Sequence, residues 1–394
     1  MRILSVTAQK PHSTGSGYYL TETVRCFHAM GHTQGVVAGV CPDDTVCFPD
    51  GVGFYPVYFN SAELPFNIAG MSDEMPYPST LYRNMTDDMA SAFRAAFEKV
   101  LRQAVDSLCP DVIICHHLYF LSAIVRELFP DIPVWGICHG TDLRQMHTNP
   151  FMQEYIRTHI AKLDKVCCLH EAQRQAVADC YGIPIHRTCV AGAGYNQSIF
   201  YDRNIRTPHD ELRLVFAGKI SDKKGIYCLL DALKSSGLPR GSVILRMAGG
   251  WPGEEQRIRA TEAIADCGHN VTLLGPLNQQ LLAHEFSLGD VFVLPSFSEG
   301  FPLVLAEAMA CGMGAICTDL PGIRPRMEQL CPGCPVTFVE PPVMLDPDTP
   351  HPDRLHEFTA RLRDAILSAK RPSLPPDLSA FTWEGVCERI LGKA

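Results

Sequence analysis

The sequence predicts an α/β protein of two domains, each built on a doubly wound parallel sheet. Three observations point there. The chain has 394 residues, too many for one core and suited to about two domains of ordinary size. Each half alternates short apolar runs with longer amphipathic stretches, which makes parallel sheets with helices on both faces. A Gly-rich junction, Ala191–Asn196, followed by the polar stretch Tyr201–Asp210, separates the halves and marks a hinge.

In the first half, strands are expected at Arg2–Val6, Gly35–Val40, Asp111–Cys115, Val134–Cys138 and Lys165–Leu169. Such runs need no alternation, because a strand inside a parallel sheet is covered on both faces. Helices are expected at Met89–Leu108, Phe120–Phe129 and Ala172–Tyr181, with another running through His28. The stretch Val46–Thr86 is dense in aromatics and prolines but has no clean period. It reads as a hairpin followed by a long loop whose rings pack. The second half repeats the theme with strands at Leu212–Ala217, Val243–Ala248, Val271–Leu274, Val291–Leu294 and Ala315–Thr318. Pro372, Pro375 and Pro376 then interrupt any helix before a terminal one at Thr382–Leu391. Domains are expected at 1–194 and 195–372, followed by the segment 373–394.

Composition narrows the function. Hydrophobic content of 46% and charged content of 20% describe a soluble globular protein. A net charge of −9 argues against nucleic acid, whose phosphates require a basic face. No apolar run reaches the length of a membrane helix, and no basic amphipathic helix suggests strong attachment to an anionic membrane. The first residues read as a β-strand and not as a signal peptide. The 17 cysteines lie mostly in apparent strands and helices, so they read as reduced core residues of a cytoplasmic protein. Cys331-Pro-Gly-Cys334 has no second pair at zinc spacing and reads as a turn. Asp43-Asp44 and Asp87-Asp88 read as turn and helix-start residues, so no metal site is expected.

The chemistry concentrates in SFSEGFPLVLAEAMACG, Ser296–Gly312. After the strand Val291–Leu294, Glu299 sits in a loop, and Pro302 suits the first position of a helix running Leu303–Cys311. A helix start beside Glu299 offers free N–H groups and partial positive charge to anionic or hydroxyl-rich ligands. Glu307, two turns further, can accept two hydrogen bonds from a vicinal diol such as a ribose. After the strand Leu212–Ala217, Lys219 and Lys224 lie at a strand end and helix start, where a departing diphosphate needs cations.

This pattern resembles the E-x7-E signature of retaining glycosyltransferases of family four, which have the GT-B fold. The resemblance is strong from about Leu212 to Gly322 and covers the first half only at a few points. It implies two Rossmann-like domains facing a cleft, a final helix crossing back onto the first, and domain closure that excludes water. It implies a nucleoside-diphosphate sugar donor, UDP-linked, with no other cofactor, and a small-molecule or glycan acceptor. Lys219, Lys224, Glu299 and His139 would be catalytic. Lys219 stands where the family usually has Arg, so it keeps the positive charge but cannot grip phosphate in the two-pronged way of a guanidinium. Glu307, Gly300, Phe301, Leu303, Pro276, Leu277 and Gly17 would bind the donor. Gly15 and Asp142 would face the acceptor, the latter within His139-Gly140-Thr141-Asp142, a form similar to branches that glycosylate small acids. His116 and His117 read as structural. A nucleotide-sugar epimerase of the same fold and a non-catalytic nucleotide-sugar binder remain open, and oligomeric state is not legible.

Overall fold

The computed structural model describes residues 1–394 except Gly300, Phe301, Pro347, Asp348, Pro375 and Ala394. The chain separates into two units, Met1–Ala193 with Trp383–Ala394, and Gly194–Thr382.

Seven strands form the sheet of the first unit: β1 (Arg2–Thr7), β2 (Thr33–Val40), β3 (Gly53–Tyr58), β4 (Val112–His116), β5 (Val134–Ile137), β6 (Lys165–Cys168) and β7 (Thr188–Val190). Their order is β3-β2-β1-β4-β5-β6-β7, and every pairing is parallel. The connecting helices are α1 (Gly15–Ala29), α2 (Asp87–Leu108), α3 (Phe120–Leu128), α4 (Thr141–Thr148), α5 (Gln153–Ile160) and α6 (Glu171–Tyr181). Their ends follow local chemistry. Thr14 and Thr86 cap α1 and α2 by accepting from backbone N–H groups, and Gly182 closes α6 in the left-handed region.

The expected hairpin in 46–86 is corrected. Gly53–Tyr58 pairs with β2 in parallel, from Gly35 opposite Gly53 to Val40 opposite Tyr58. It is the edge strand, which is where Pro56 is tolerated, since proline has no N–H for a second neighbour. The aromatic stretch does pack: Phe59 is fully buried against Phe66, Phe93 and Phe97.

The second unit holds β8 (Leu212–Ala217), β9 (Val243–Ala248), β10 (Asn270–Gly275), β11 (Val291–Leu294), β12 (Gly314–Thr318) and β13 (Val336–Val339). Their order is β10-β9-β8-β11-β12-β13, again all parallel. Helices α7 (Ile226–Lys234), α8 (Glu254–Asp266), α9 (Gln279–Leu288), α10 (Leu303–Ala310), α11 (Ile323–Leu330) and α12 (Leu355–Leu367) cover it. Pro302 is not the first residue of α10 but its cap, in extended backbone. Each unit has its own apolar core. The strands β7 and β13 were not expected.

The last helix, α13 (Trp383–Leu391), packs on α1 of the first unit. Trp383 meets the Tyr19 ring edge-on at 5.0 Å, and Arg389 Nε donates to the Ala191 carbonyl at 2.8 Å. Lys165 Nζ donates to the Ile390 carbonyl at 2.8 Å, capping the helix end. Among the described residues, no helix is long and apolar enough to cross a membrane.

Candidate functional site

In the second unit, strand order reverses between β8 and β11, so their connections part and leave a crevice at the carboxyl ends. Lys219 and Lys224 follow β8 there, and Glu299 follows β11. Three contacts hold the two loops together. Gly225 lies at φ +65°, and a Cβ on it would stand 2.1 Å from the Pro295 carbonyl oxygen. Phe297 N–H donates to the Lys223 carbonyl at 2.9 Å. Lys224 Nζ donates to Glu299 Oε1 at 2.5 Å, with side chains only 24% and 15% exposed.

The opposite flank is a ledge of bare backbone. Gly249 has φ +151°, and a Cβ there would lie 1.8 Å from the Gly218 carbonyl oxygen. Gly218 N–H donates to Ala248, Gly249 N–H to Gly275, and Ile220 N–H to Gly250. Pro276 is exposed and borders Gly250, and Leu277 is half-buried beside it. The glycines let the two strand-end turns pack backbone to backbone, with no side chain in the way. The sequence singles out Gly218 beside Lys219 but not Gly249 and Gly250, although a Gly-Gly pair after a strand is visible.

Leu303 opens α10 half-buried, and Glu307 lies in its second turn, also half-buried. Gly300 and Phe301 lie outside the described residues. Two hydroxyls near this edge, Ser296 Oγ and Thr318 Oγ1, are buried with no hydrogen-bond partner among the described residues. Ser296 follows β11 by two residues and Thr318 ends β12, and nothing in the sequence marks Thr318.

In the first unit the order reverses between β1 and β4. Gly15 opens α1, exposed and with open space over its Cα. Gly17 does not face a ligand as expected. It is buried, gives its N–H to Thr14 Oγ1 at 3.1 Å, and would place a Cβ 2.7 Å from the Lys10 carbonyl oxygen. It is a packing glycine.

His116 ends β4, His117 follows it, and His139 follows β5. His116 Nδ1 is 3.2 Å from His139 Nε2, with the rings stacked. Asp142, expected at the acceptor, is instead fully buried. It accepts from Leu118 N–H at 2.8 Å and His139 N–H at 3.1 Å, and lies 3.3 Å from His117 Nδ1. Its role is to hold the turn that carries His139. His117 has φ +71°, a costly backbone for a residue with a side chain and one concentrated at functional sites.

Charge follows burial. Burial pushes the Asp142 carboxyl up, but the His117 hydrogen bond and nearby imidazoles outweigh it and hold it down at about 2. Burial, with His117 close by, lowers His116 to about 3. His139 is driven well below its ordinary range by burial and by both neighbouring imidazoles. At neutral pH His116 and His139 are therefore uncharged. His116 Nε2, Tyr119 OH and Thr141 Oγ1 are buried without a partner among the described residues. Among those residues, no three His, Cys, Asp or Glu side chains are placed to hold a metal ion.

Residues 13–197 match the model of Glycosyltransferase Family 4, and residues 198–330 that of Glycosyl transferases group 1. The chain belongs to glycosyltransferase family 4. Within curated relatives, this family 4 chain is 30% identical over 181 residues to the D-inositol 3-phosphate glycosyltransferase of Xylanimonas cellulosilytica, covering 42% of this chain and 43% of the relative. The chain thus spans less than half the length of that relative. Solved structures extend further. Sucrose-phosphate synthase from Thermosynechococcus elongatus gives a TM-score of 0.67 at 16% identity, over 99% of this chain and 97% of that one. Anabaena HepE in complex with UDP and glucose gives 0.62 at 14%, over 100% and 98%. These likenesses show the GT-B fold, two parallel-sheet α/β units.

Two outcomes follow for this family 4 chain. Gly225→Ala should destabilise the protein by more than the about 1–2 kcal/mol of a left-handed side chain, because Pro295 must also move; an unchanged urea midpoint would contradict the close approach. The folded state keeps His116 and His139 neutral, while the unfolded chain protonates them near about 6.5. The unfolded state therefore binds more protons in acid, and stability falls as pH drops below that value. Each histidine contributes a slope of up to about 1.4 kcal/mol per pH unit. Urea unfolding between pH 7 and pH 5 should show this loss, and His116→Gln should make it shallower. Equal slopes would mean that His116 is charged in the fold.

Proposed function

We propose that this chain is a retaining glycosyltransferase that moves a sugar from a UDP-linked donor to a hydroxyl acceptor without a metal ion. The observation that carries the reading is the Lys224–Glu299 pair, which joins the two signature loops at the switch point of the second sheet. A cation for the diphosphate and a carboxylate for the sugar meet there.

The residues then take these parts. Lys219 and Lys224 meet the negative charge that grows on the diphosphate as its bond to the anomeric carbon breaks. Glu299 holds Lys224 through one oxygen and accepts from sugar hydroxyls through the other. Glu307 takes the ribose diol, Leu303 lies against the sugar and phosphate, and Pro276 and Leu277 flank the base. The acceptor oxygen attacks the face that the diphosphate leaves, and the departing oxygen takes its proton, so configuration is retained. His139, kept neutral, can donate to or accept from a sugar hydroxyl, while Gly15 leaves room for the acceptor. Supporting the donor, the related HepE structure holds UDP and glucose. A cytoplasmic setting suits the free thiols of all 17 cysteines.

The test is calorimetric titration with UDP, GDP and ADP, with and without a chelator. UDP should bind, and the chelator should change nothing. Binding of none would remove the donor site, and binding without turnover of any UDP-sugar would leave a non-catalytic sensor. Glu307→Gln should weaken UDP binding by about 1.5–3 kcal/mol, the worth of charged hydrogen bonds. Lys224→Ala should cut turnover roughly 100- to 1,000-fold with a smaller effect on affinity; a fall in affinity alone would restrict Lys224 to binding.

A further inference from the structure

Strands β6 and β7 pair in parallel with Cys167 directly opposite Cys189. Register partners on neighbouring strands point to the same face, and the two Sγ atoms lie 3.5 Å apart. Neighbouring strands run about 4.8 Å apart, inside the Cα window of about 4.4–6.8 Å in which a disulfide closes. The two thiols differ in access. Cys167 is buried, while Cys189 is half-buried and lines a surface cleft with Trp135, Lys165 and His186.

They differ in acidity too. The contact with Cys167, aided by the charges of Lys165 and Arg174, outweighs burial and lowers the Cys189 thiol to about 7. The same contact, together with burial, pushes the Cys167 thiol well up. A reachable thiolate thus stands in front of a buried thiol. That is the order of a group attacked first and a group that resolves.

We propose that Cys189 and Cys167 form an oxidant-sensitive dithiol, a modification site outside the sugar-transfer machinery whose reagent is a hydroperoxide. The Cys189 thiolate attacks the peroxide O–O bond, which breaks to leave a sulfenic acid on Cys189 and release hydroxide. The Cys167 sulfur then attacks the Cys189 sulfur. The S–O bond breaks, the S–S bond forms, and water leaves with the Cys167 proton. Two thiols lose two electrons and hydrogen peroxide gains them, giving two waters overall. The disulfide ties β7 to β6 two residues before Ala191, whose carbonyl receives Arg389 of α13.

The experiment treats the reduced full-length protein with a small excess of hydrogen peroxide, then blocks remaining thiols and maps peptides by mass. Cys167 should be recovered joined to Cys189, with two hydrogens lost from the intact mass. Cys167→Ser should stop at a sulfenic acid on Cys189 that dimedone traps, and Cys189→Ser should give neither product. The proposal is overturned if Cys167 and Cys189 stay reduced while exposed Cys47 or Cys109 oxidise, or if the disulfide forms instead between Cys26 and Cys387. Should either serine variant fail to fold, the wild-type peptide map alone decides.

Discussion

Both sheets reverse their strand order beside their first strand, and the chemistry of each unit depends on that reversal. A right-handed crossover from β8 through α7 moves one way along the sheet, and the crossover from β11 through α10 moves the other. Two neighbouring strands therefore end with their chains turning apart, and their carboxyl ends stay uncovered. Lys219, Lys224 and Glu299 are at the second sheet's reversal; His116, His117 and Gly15 are at the first sheet's.

Diverging loops would wander unless something joined them. In the second unit the join is the Gly225–Pro295 approach, the Phe297–Lys223 hydrogen bond and the Lys224–Glu299 pair. For a largely buried ion pair the cost of desolvation offsets much of the Coulombic gain, so stability alone does not explain this one. A free lysine carries up to about 2 kcal/mol of rotamer entropy. Fixing Lys224 before a ligand arrives removes that cost from the binding or chemical step, which is what preorganised charge requires. Its partial burial serves the same end, because screening by water is weaker there. The first unit reaches the same end with a buried carboxylate in place of an ion pair to lysine. Asp142 spends its oxygens on backbone N–H groups and His117, leaving His139 oriented and neutral.

Strands covered on both faces write apolar runs, so the inner strands of both sheets were legible in the sequence. The strands that escaped notice lack that signature. In β3, Pro56 and exposed Tyr58 break the run; β7 has three residues; β13 is only partly covered. At the site, residue types were legible and their pairings were not. Lys224 and Glu299 are 75 residues apart, and only topology makes them neighbours. Asp142 and Gly17 looked like ligand residues because a loop after a strand is where such residues belong. Burial decides otherwise, and burial at a strand end is a tertiary property. The unpartnered hydroxyls of Ser296 and Thr318 are hidden for the same reason.

Lys165 shows how one side chain can serve two ends. Its ammonium donates to the carbonyls of Arg389 and Ile390 at the end of α13, where a helix favours positive charge. It also lies across the Trp135 ring at 5.3 Å. Held from both sides, it cannot swing into solvent as a surface lysine does, and its field acts steadily on the Cys189 thiol. The acidity of Cys189 comes first from its contact with Cys167, and docking of the last helix adds the charge of Lys165 to it, so any change that frees α13 from Lys165 should also alter that thiol.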